Sequence, residues 1–179
     1  MAYEESQMKP ANEWYEKLGF TNIRRCSWDS EEGKNLQNDD IDLRANWLGN
    51  TVYISEKFRS KDYGDIMVEL EDKFDGSLRF SGWLFKSHAD YIFYHTPKAI
   101  YIIETQYLID FVRPIYGEQF EFFKDKILLC NTWRPGADHK YQDIKVKHIP
   151  TYILGEMQWV GLQMIIPLKY LSNIKIIHK

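Results

Sequence analysis

The 179-residue sequence has only two cysteines, Cys26 and Cys130, and neither a CxxC nor an HxxxH spacing. Two cysteines so far apart cannot build a disulfide framework, and without histidines at ligand spacing they do not form a zinc site. No apolar run approaches the roughly 18 residues that mark a membrane-spanning helix. Met1 to Met8 is polar and acidic, unlike a secretory signal peptide, so a reducing cytoplasm is the expected compartment. Positive charge is not in excess either: the formal net charge is −3. A chain that clamps nucleic acid purely by neutralising phosphates is usually basic, which argues against a constitutive high-affinity DNA binder. It does not argue against a nuclease, because carboxylates that hold metal ions lower the net charge until the metal is bound. A P-loop, a dinucleotide-binding glycine motif and a nucleophile elbow are all missing. So are internal repeats and low-complexity linkers.

What is present reads as a globular protein. Hydrophobic residues make up 44% and charged residues 27%, enough to close a core in one domain spanning residues 1–179. Aromatics reach 16%; core packing accounts for them better than a base-stacking surface does. Met8, Ala11, Tyr15 and Leu18 lie at helical spacing, with Gly19 as a stop. Ser30 to Asp40 is polar and reads as a loop. Ile41 to Trp47, Thr51 to Arg59 and Asp65 to Glu71 alternate as strands, and Gly49-Asn50 makes a turn between the first two. Pairing in sequence order, they would form an antiparallel meander with one buried face. Leu78 to Ser87 suits a short helix, and Tyr91 to Tyr94 and Ala99 to Ile103 suit apolar strands. Thr105 is a candidate cap for a helix that Arg113-Pro114 would stop. Further on, the pattern predicts a helix near Gly117 to Lys126, a polar loop near Arg134 to Gln142, and strands at Lys145 to Ile153 and Leu162 to Pro167. The expected fold is α/β (α+β), a central mixed β-sheet with a meander, flanked by helices.

Side chains two apart on a strand share a face. Asp40, Asp42 and Arg44 therefore point away from the first strand's apolar row. Tyr53, Ser55, Lys57 and Arg59 do so on the second strand, and Asp65, Glu69 and Glu71 on the third. In a meander, Asp42, Lys57 and Glu69 would converge. Two carboxylates can hold Mg²⁺ or Mn²⁺, and a nearby lysine can orient water or offset transition-state charge. The competing reading is a solvated face of cross-strand ion pairs, each worth a few tenths of a kcal/mol.

The order of several short motifs resembles the PD-(D/E)XK, or restriction-endonuclease-like, nuclease superfamily, above all its small phage and bacterial members. The motifs are Gln37-Asn38-Asp39-Asp40-Ile41-Asp42, Ser55-Glu56-Lys57-Phe58-Arg59, Ile66-Met67-Val68-Glu69, and Gly82-Trp83 followed by Ala89-Asp90-Tyr91. Tyr101-Ile102-Ile103, Leu108 and Ile165-Ile166-Pro167-Leu168 fit the same outline. The likeness spans a core of about residues 10–113, leaving about 114–179 as a C-terminal extension. It implies a Mg²⁺- or Mn²⁺-dependent nuclease acting on DNA ahead of RNA, away from any membrane, with a homodimer left open. It also implies Asp42 as the main metal ligand and Lys57 as the catalytic lysine. The family's second acid stands two residues before that lysine, and here the position holds Ser55. Glu69, of suitable parity, is the favoured replacement; Glu56, which would need a bulge, is the reserve. Arg59, Lys61 and Lys86 are candidate phosphate contacts, and His88 is a weaker candidate near the Ala-Asp-Tyr segment. The alternative function is an inactive nuclease fold that binds nucleic acid or inhibits a protein.

Overall fold

In the computed structural model, residues 2–72, 78–130, 132–133, 140, 142–153 and 156–179 are described. The fold is α+β, as expected, with a mixed six-stranded sheet at its centre. By their internal contacts the residues group into two compact units.

The first unit comprises residues 1–62, 87–106 and 173–179. It contains α1 (Ala2–Lys17), β1 (Thr21–Arg25), α2 (Glu31–Asn38), β2 (Leu43–Trp47) and β3 (Asn50–Phe58). After an excursion of the chain into the second unit come β5 (Tyr91–His95), β6 (Ala99–Glu104) and finally β10 (Ile174–His178). The strand order is β1-β2-β3-β5-β6-β10. Every pairing is antiparallel except β3 with β5, which run parallel. A parallel pair needs a long crossover, and residues 59–90 supply it.

Alternation decides the faces of this sheet. Leu43, Ala45, Val52, Ile54, Phe93, Ile100 and Ile102 line one side and close over Ala11, Tyr15 and Phe20 from α1 and the turn after it. Of the expected 3.6-residue stripe, Ala11 and Tyr15 are buried and Leu18 packs against them, and Gly19 ends the helix in the left-handed conformation at φ 86°. Phe20 stacks on Trp47 at 4.7 Å between ring centroids and meets Phe93 edge-on at 5.7 Å.

The second unit comprises residues 63–86 and 107–172. Its sheet is β4 (Asp65–Glu71), β9 (Glu156–Pro167), β8 (Lys145–Ile153) and β7 (Thr132–Trp133), in that order. It also holds α3 (Trp83–Lys86) and most of α4 (Thr105–Cys130). Ile66, Val68, Leu70, Val112, Tyr116, Val146, Leu162, Met164 and Ile166 are buried in it.

Four expectations need correction. The meander ends at β3, because β4 pairs with β9 in the other sheet and β5 takes the place beside β3. Residues 31–38 form α2 instead of a loop, since Ser30 caps the helix and accepts the Gly33 amide at 3.0 Å. Pro114 does not stop a helix: α4 runs through it, with Val112, Ile115, Tyr116 and Phe120 all buried around the proline. The boundary expected at residue 114 therefore falls within a helix. Glu71 does not point outward. A bulge between Glu69 and Glu71 turns it in, and its carboxylate accepts from the Tyr116 hydroxyl and the Arg79 amide. Strands β1 and β10 were not anticipated, and residues 134–139 and 141 of the expected polar loop lie outside the described residues. No helix among the described residues is long and apolar enough to cross a membrane.

Gly33 has no room for a side chain, because a Cβ there would sit 2.0 Å from the Ser27 carbonyl oxygen. Gly33→Ala is expected to lower unfolding stability by about 2 kcal/mol or more, read from the urea midpoint. An unchanged midpoint would show that α2 does not need this close approach.

Candidate functional site

The site starts from the way α2 ends. The Ile41 amide bonds back to the Leu36 carbonyl at 2.9 Å, and the Asp40 amide to that of Gln37 at 3.1 Å. This paired closure places the residue after the cap in the left-handed region, normally a glycine or asparagine position. Here Asp40 occupies it at φ 56°. An L-residue with a Cβ pays on the order of 1 kcal/mol there, least for Asp and Asn.

That backbone turn aims the Asp40 carboxylate at β3. Its Oδ1 lies 2.6 Å from Lys57 Nζ, and its Oδ2 accepts from Ser55 Oγ at 2.7 Å. Ser55 and Lys57 share the face of β3 opposite the α1 core, as alternation predicts. Asp42 enters from the start of β2. Its amide donates to Ile54 O at 2.9 Å and its Oδ2 accepts from the Glu56 amide at 2.6 Å. Burial pushes the Asp42 carboxyl up to about 6, with Lys57 and the Glu56 amide pulling it down and the Asp40 and Glu56 charges pushing it up. Asp40, Asp42 and Lys57 thus form one electrostatic group. Asp42 Oδ1 accepts no hydrogen bond among the described residues.

Glu56 points to the other side of the sheet, into the layer beneath α1. Its carboxylate accepts from the Tyr15 hydroxyl and from both terminal nitrogens of Arg25, which in turn holds Asn12 Oδ1 at 2.8 Å. Tyr15 has a single hydroxyl proton and gives it to Glu56. The 2.7 Å contact between Tyr15 and His95 Nε2 is therefore assigned as the imidazole N–H donating to the tyrosine oxygen. Burial first, then the Lys179 and Arg25 charges, lower the His95 pKa to about 3, so the ring stays neutral. Burial and the Glu56 carboxylate hold the Tyr15 hydroxyl protonated, raising its pKa well above the usual value.

Of the residues expected from sequence, Asp42 and Lys57 come together as read. Glu69 does not join them through the sheet: it stands on β4 in the second unit, where its Oε1 accepts from the Trp83 amide at 3.3 Å. Glu56 stays off this face, as its parity predicts: β3 pairs with β5 in regular register there, so alternation sends its side chain to the opposite face, where it serves as a buried structural anion. The carboxylate that sequence reasoning passed over is Asp40. Its signal was present in the Asp40-x-Asp42 alternation. Asp90 is a connector: its Oδ2 takes the Tyr53 amide at 2.8 Å where β3 and β5 begin to pair. His88 Nδ1 lies 3.6 Å from the Asp39 carboxylate, well exposed. Arg59 and Lys61 follow the end of β3 in the first unit, whereas Lys86 belongs to the second unit and pairs with Asp72 at 2.7 Å.

Among the described residues no three His, Cys, Asp or Glu side chains are grouped to hold one ion. The donor set on offer is Asp40 and Asp42. Two carboxylates fit Mg²⁺, which commonly takes one or two of them and completes its octahedron with water and substrate phosphate. No family model, curated protein or solved structure matches this chain.

Because the folded Asp42 pKa of about 6 exceeds its ordinary 3.8, the native state holds more protons than the unfolded chain between those values. Stability from this group is therefore present at low pH and lost as pH rises through the window. At neutral pH the buried charge costs on the order of 3 kcal/mol. Asp42→Asn removes the titration, so the variant should gain on the wild type as pH rises from about 4 to about 7 in thermal melts. A difference that stays constant with pH would contradict the raised pKa.

Proposed function

We propose that the chain is a metal-dependent phosphodiesterase that hydrolyses nucleic acid, DNA ahead of RNA. Asp40 and Asp42 are the cation's carboxylates, and Lys57 stands beside the attacking water. The observation that carries this reading is the cluster on the polar face of β2 and β3, where Lys57 Nζ lies 2.6 Å from Asp40 and Asp42 is held by the Glu56 amide. Hydrolysis adds a water oxygen to phosphorus and breaks the bond to one sugar oxygen. A bound Mg²⁺ or Mn²⁺ supplies charge neutralisation at the phosphate and a more acidic water. The chain's own groups do the rest. The Lys57 ammonium offsets charge that builds on the phosphoryl oxygens and orients the water. The buried Asp42 carboxylate, ionised above about pH 6, binds the positive charge and orients the groups around it.

Ser55, the departure from the resembled pattern, fits the same reading. Its hydroxyl donates to Asp40 at 2.7 Å, so a carboxylate reaches the space that an acidic side chain at position 55 would fill. The acid is supplied from the end of α2 instead of from β3. A phage or bacterial setting and a cytoplasmic location belong to the same proposal; the free thiol of Cys26 suits a reducing compartment.

A second reading is an inactive nuclease fold that binds nucleic acid or a protein. The observation that favours it is that Asp40 is already engaged by both Lys57 and Ser55. Calorimetric titration with Mn²⁺ separates the two. Saturable binding that disappears in Asp42→Ala supports the enzyme, and no binding by the wild type supports the inactive fold.

The activity test uses purified protein, supercoiled plasmid and Mg²⁺ or Mn²⁺. Nicking is expected, with Asp42→Ala and Lys57→Ala reduced by at least a hundredfold, the usual loss for one charge-stabilising group. Asp40→Gly should be comparably impaired yet folded, since glycine suits φ 56° better than aspartate does. Full activity in the Asp42 and Lys57 variants would reject the assignment.

A further inference from the structure

Two arginines stand opposite each other on the same face of the sheet as this cluster. In the β1–β2 ladder Arg24 is directly paired with Arg44, while the next pair, Arg25 with Leu43, faces the core. The chain thus divides consecutive arginines between the faces. Arg25 turns in to Glu56, and the Arg24 side chain makes no hydrogen bond or ion pair among the described residues. Like charges directly across an antiparallel ladder repel and destabilise it. Among the described residues one ion pair offsets them: Glu32, 72% exposed, reaches Arg44 at 3.6 Å. An exposed pair at that separation contributes little.

The surface is also shaped. Arg24 and Arg44 together line two adjoining clefts, one of about 180 Å³ beside Ser27 and Ser30 and one of about 270 Å³ beside Asn22, Asn46 and Thr51. The second offers amide and hydroxyl groups around two guanidinium groups. It follows a β-bulge, where the register slips between Thr21 and Arg24 and Asn22 sits at φ 52°. Arg44 is on β2, two residues beyond Asp42 at the strand's entrance, roughly 7 Å along at strand spacing. Across from Asp42 lies Cys26, whose amide donates to the Asp42 carbonyl at 2.8 Å.

We propose that Arg24 and Arg44 bind a phosphate of the nucleic-acid backbone, neighbouring the phosphate held at Asp40, Asp42 and Lys57. Paired guanidinium groups match phosphate oxygens in geometry as well as charge. A bound phosphate also relieves the repulsion between the two arginines. The site reads no base: its contacts are to the backbone, so it sets position and affinity without sequence preference. It also reconciles an acidic chain with an anionic substrate, by concentrating positive charge along one stretch of β1 and β2. That the anion belongs to a nucleic acid rests on the nuclease reading; the anion site itself rests on the arginine pair.

The test measures binding without catalysis. A fluorescently labelled DNA duplex is titrated by anisotropy in EDTA across a series of salt concentrations. Wild type, Arg24→Gln with Arg44→Gln, and Arg24→Lys with Arg44→Lys are compared, each checked for folding by circular dichroism. The double glutamine variant should bind on the order of tenfold more weakly at low salt, with a log K against log salt slope shallower by about one for each arginine removed. The double lysine variant should keep most of the slope. Loss of binding in the double glutamine variant with no DNA cleavage by any form would leave the phosphate site standing and the nuclease reading fallen. Equal affinity and slope in wild type and double glutamine variant would overturn the phosphate site, as would a wild type with no salt-dependent binding.

Discussion

A hydrogen bond 2.6 Å long, from the Glu56 amide to Asp42 Oδ2, joins the entrance of β2 to the middle of β3. The candidate site depends on it because it fixes Asp42, whose Oδ1 accepts no hydrogen bond among the described residues, against a strand whose own side chains are committed. Residues 55, 56 and 57 of that strand each have a different task. Ser55 and Lys57 hold Asp40 on one face, and Glu56 is locked on the other by Tyr15 and Arg25. A shift of β3 by one residue would exchange the faces, break both sets of contacts and expose the apolar row. Register and site geometry are therefore the same constraint.

The energetics of the two faces differ in kind. Beneath α1, the Glu56 side chain is 2% exposed, and removing one partner of such a buried pair costs several kcal/mol because the remaining charge is stranded. On the polar face, Asp42 carries a charge that the fold does not favour, as its pKa of about 6 records. His95, held neutral with a pKa near 3, works in the opposite sense: its folded pKa lies below the ordinary 6.5, so its contribution to stability is lost on acidification. In mildly acid solution the two groups pull against each other. The cost at Asp42 is what a cation would relieve, and binding one there would release a proton near or below that pKa. Strain of a few kcal/mol tolerated by a well-packed sheet is a common mark of a functional site.

Much of the fold was legible in alternation. The apolar rows of β2 and β3, the buried stripe of α1 and the division of Ser55 and Lys57 from Glu56 all follow from side-chain period alone. What failed was neighbour choice. Sequence order suggested that β4 lies beside β3, but nothing local distinguishes a meander from a crossover to β5, because both bury the same apolar residues. That single error set Glu69 beside Lys57, where Asp40 is found. The polar stretch 31–38 hid a helix because its stability comes from the Ser30 cap and the close packing of Gly33 against Ser27, neither of which gives an apolar stripe. Asp40 in a left-handed position is a tertiary consequence of where that helix ends. The pairing of Arg24 with Arg44 was invisible because β1 itself was missed.

The central claim is that Asp40 and Asp42, with Lys57 beside them, form a place for a divalent cation. Anomalous diffraction from a crystal soaked in Mn²⁺ tests it most directly. The account predicts a peak within about 2.0–2.3 Å of an oxygen from each aspartate, the distance range of hard cations to carboxylates. A peak held elsewhere, at Glu69 for example, or none at saturating Mn²⁺, would contradict it.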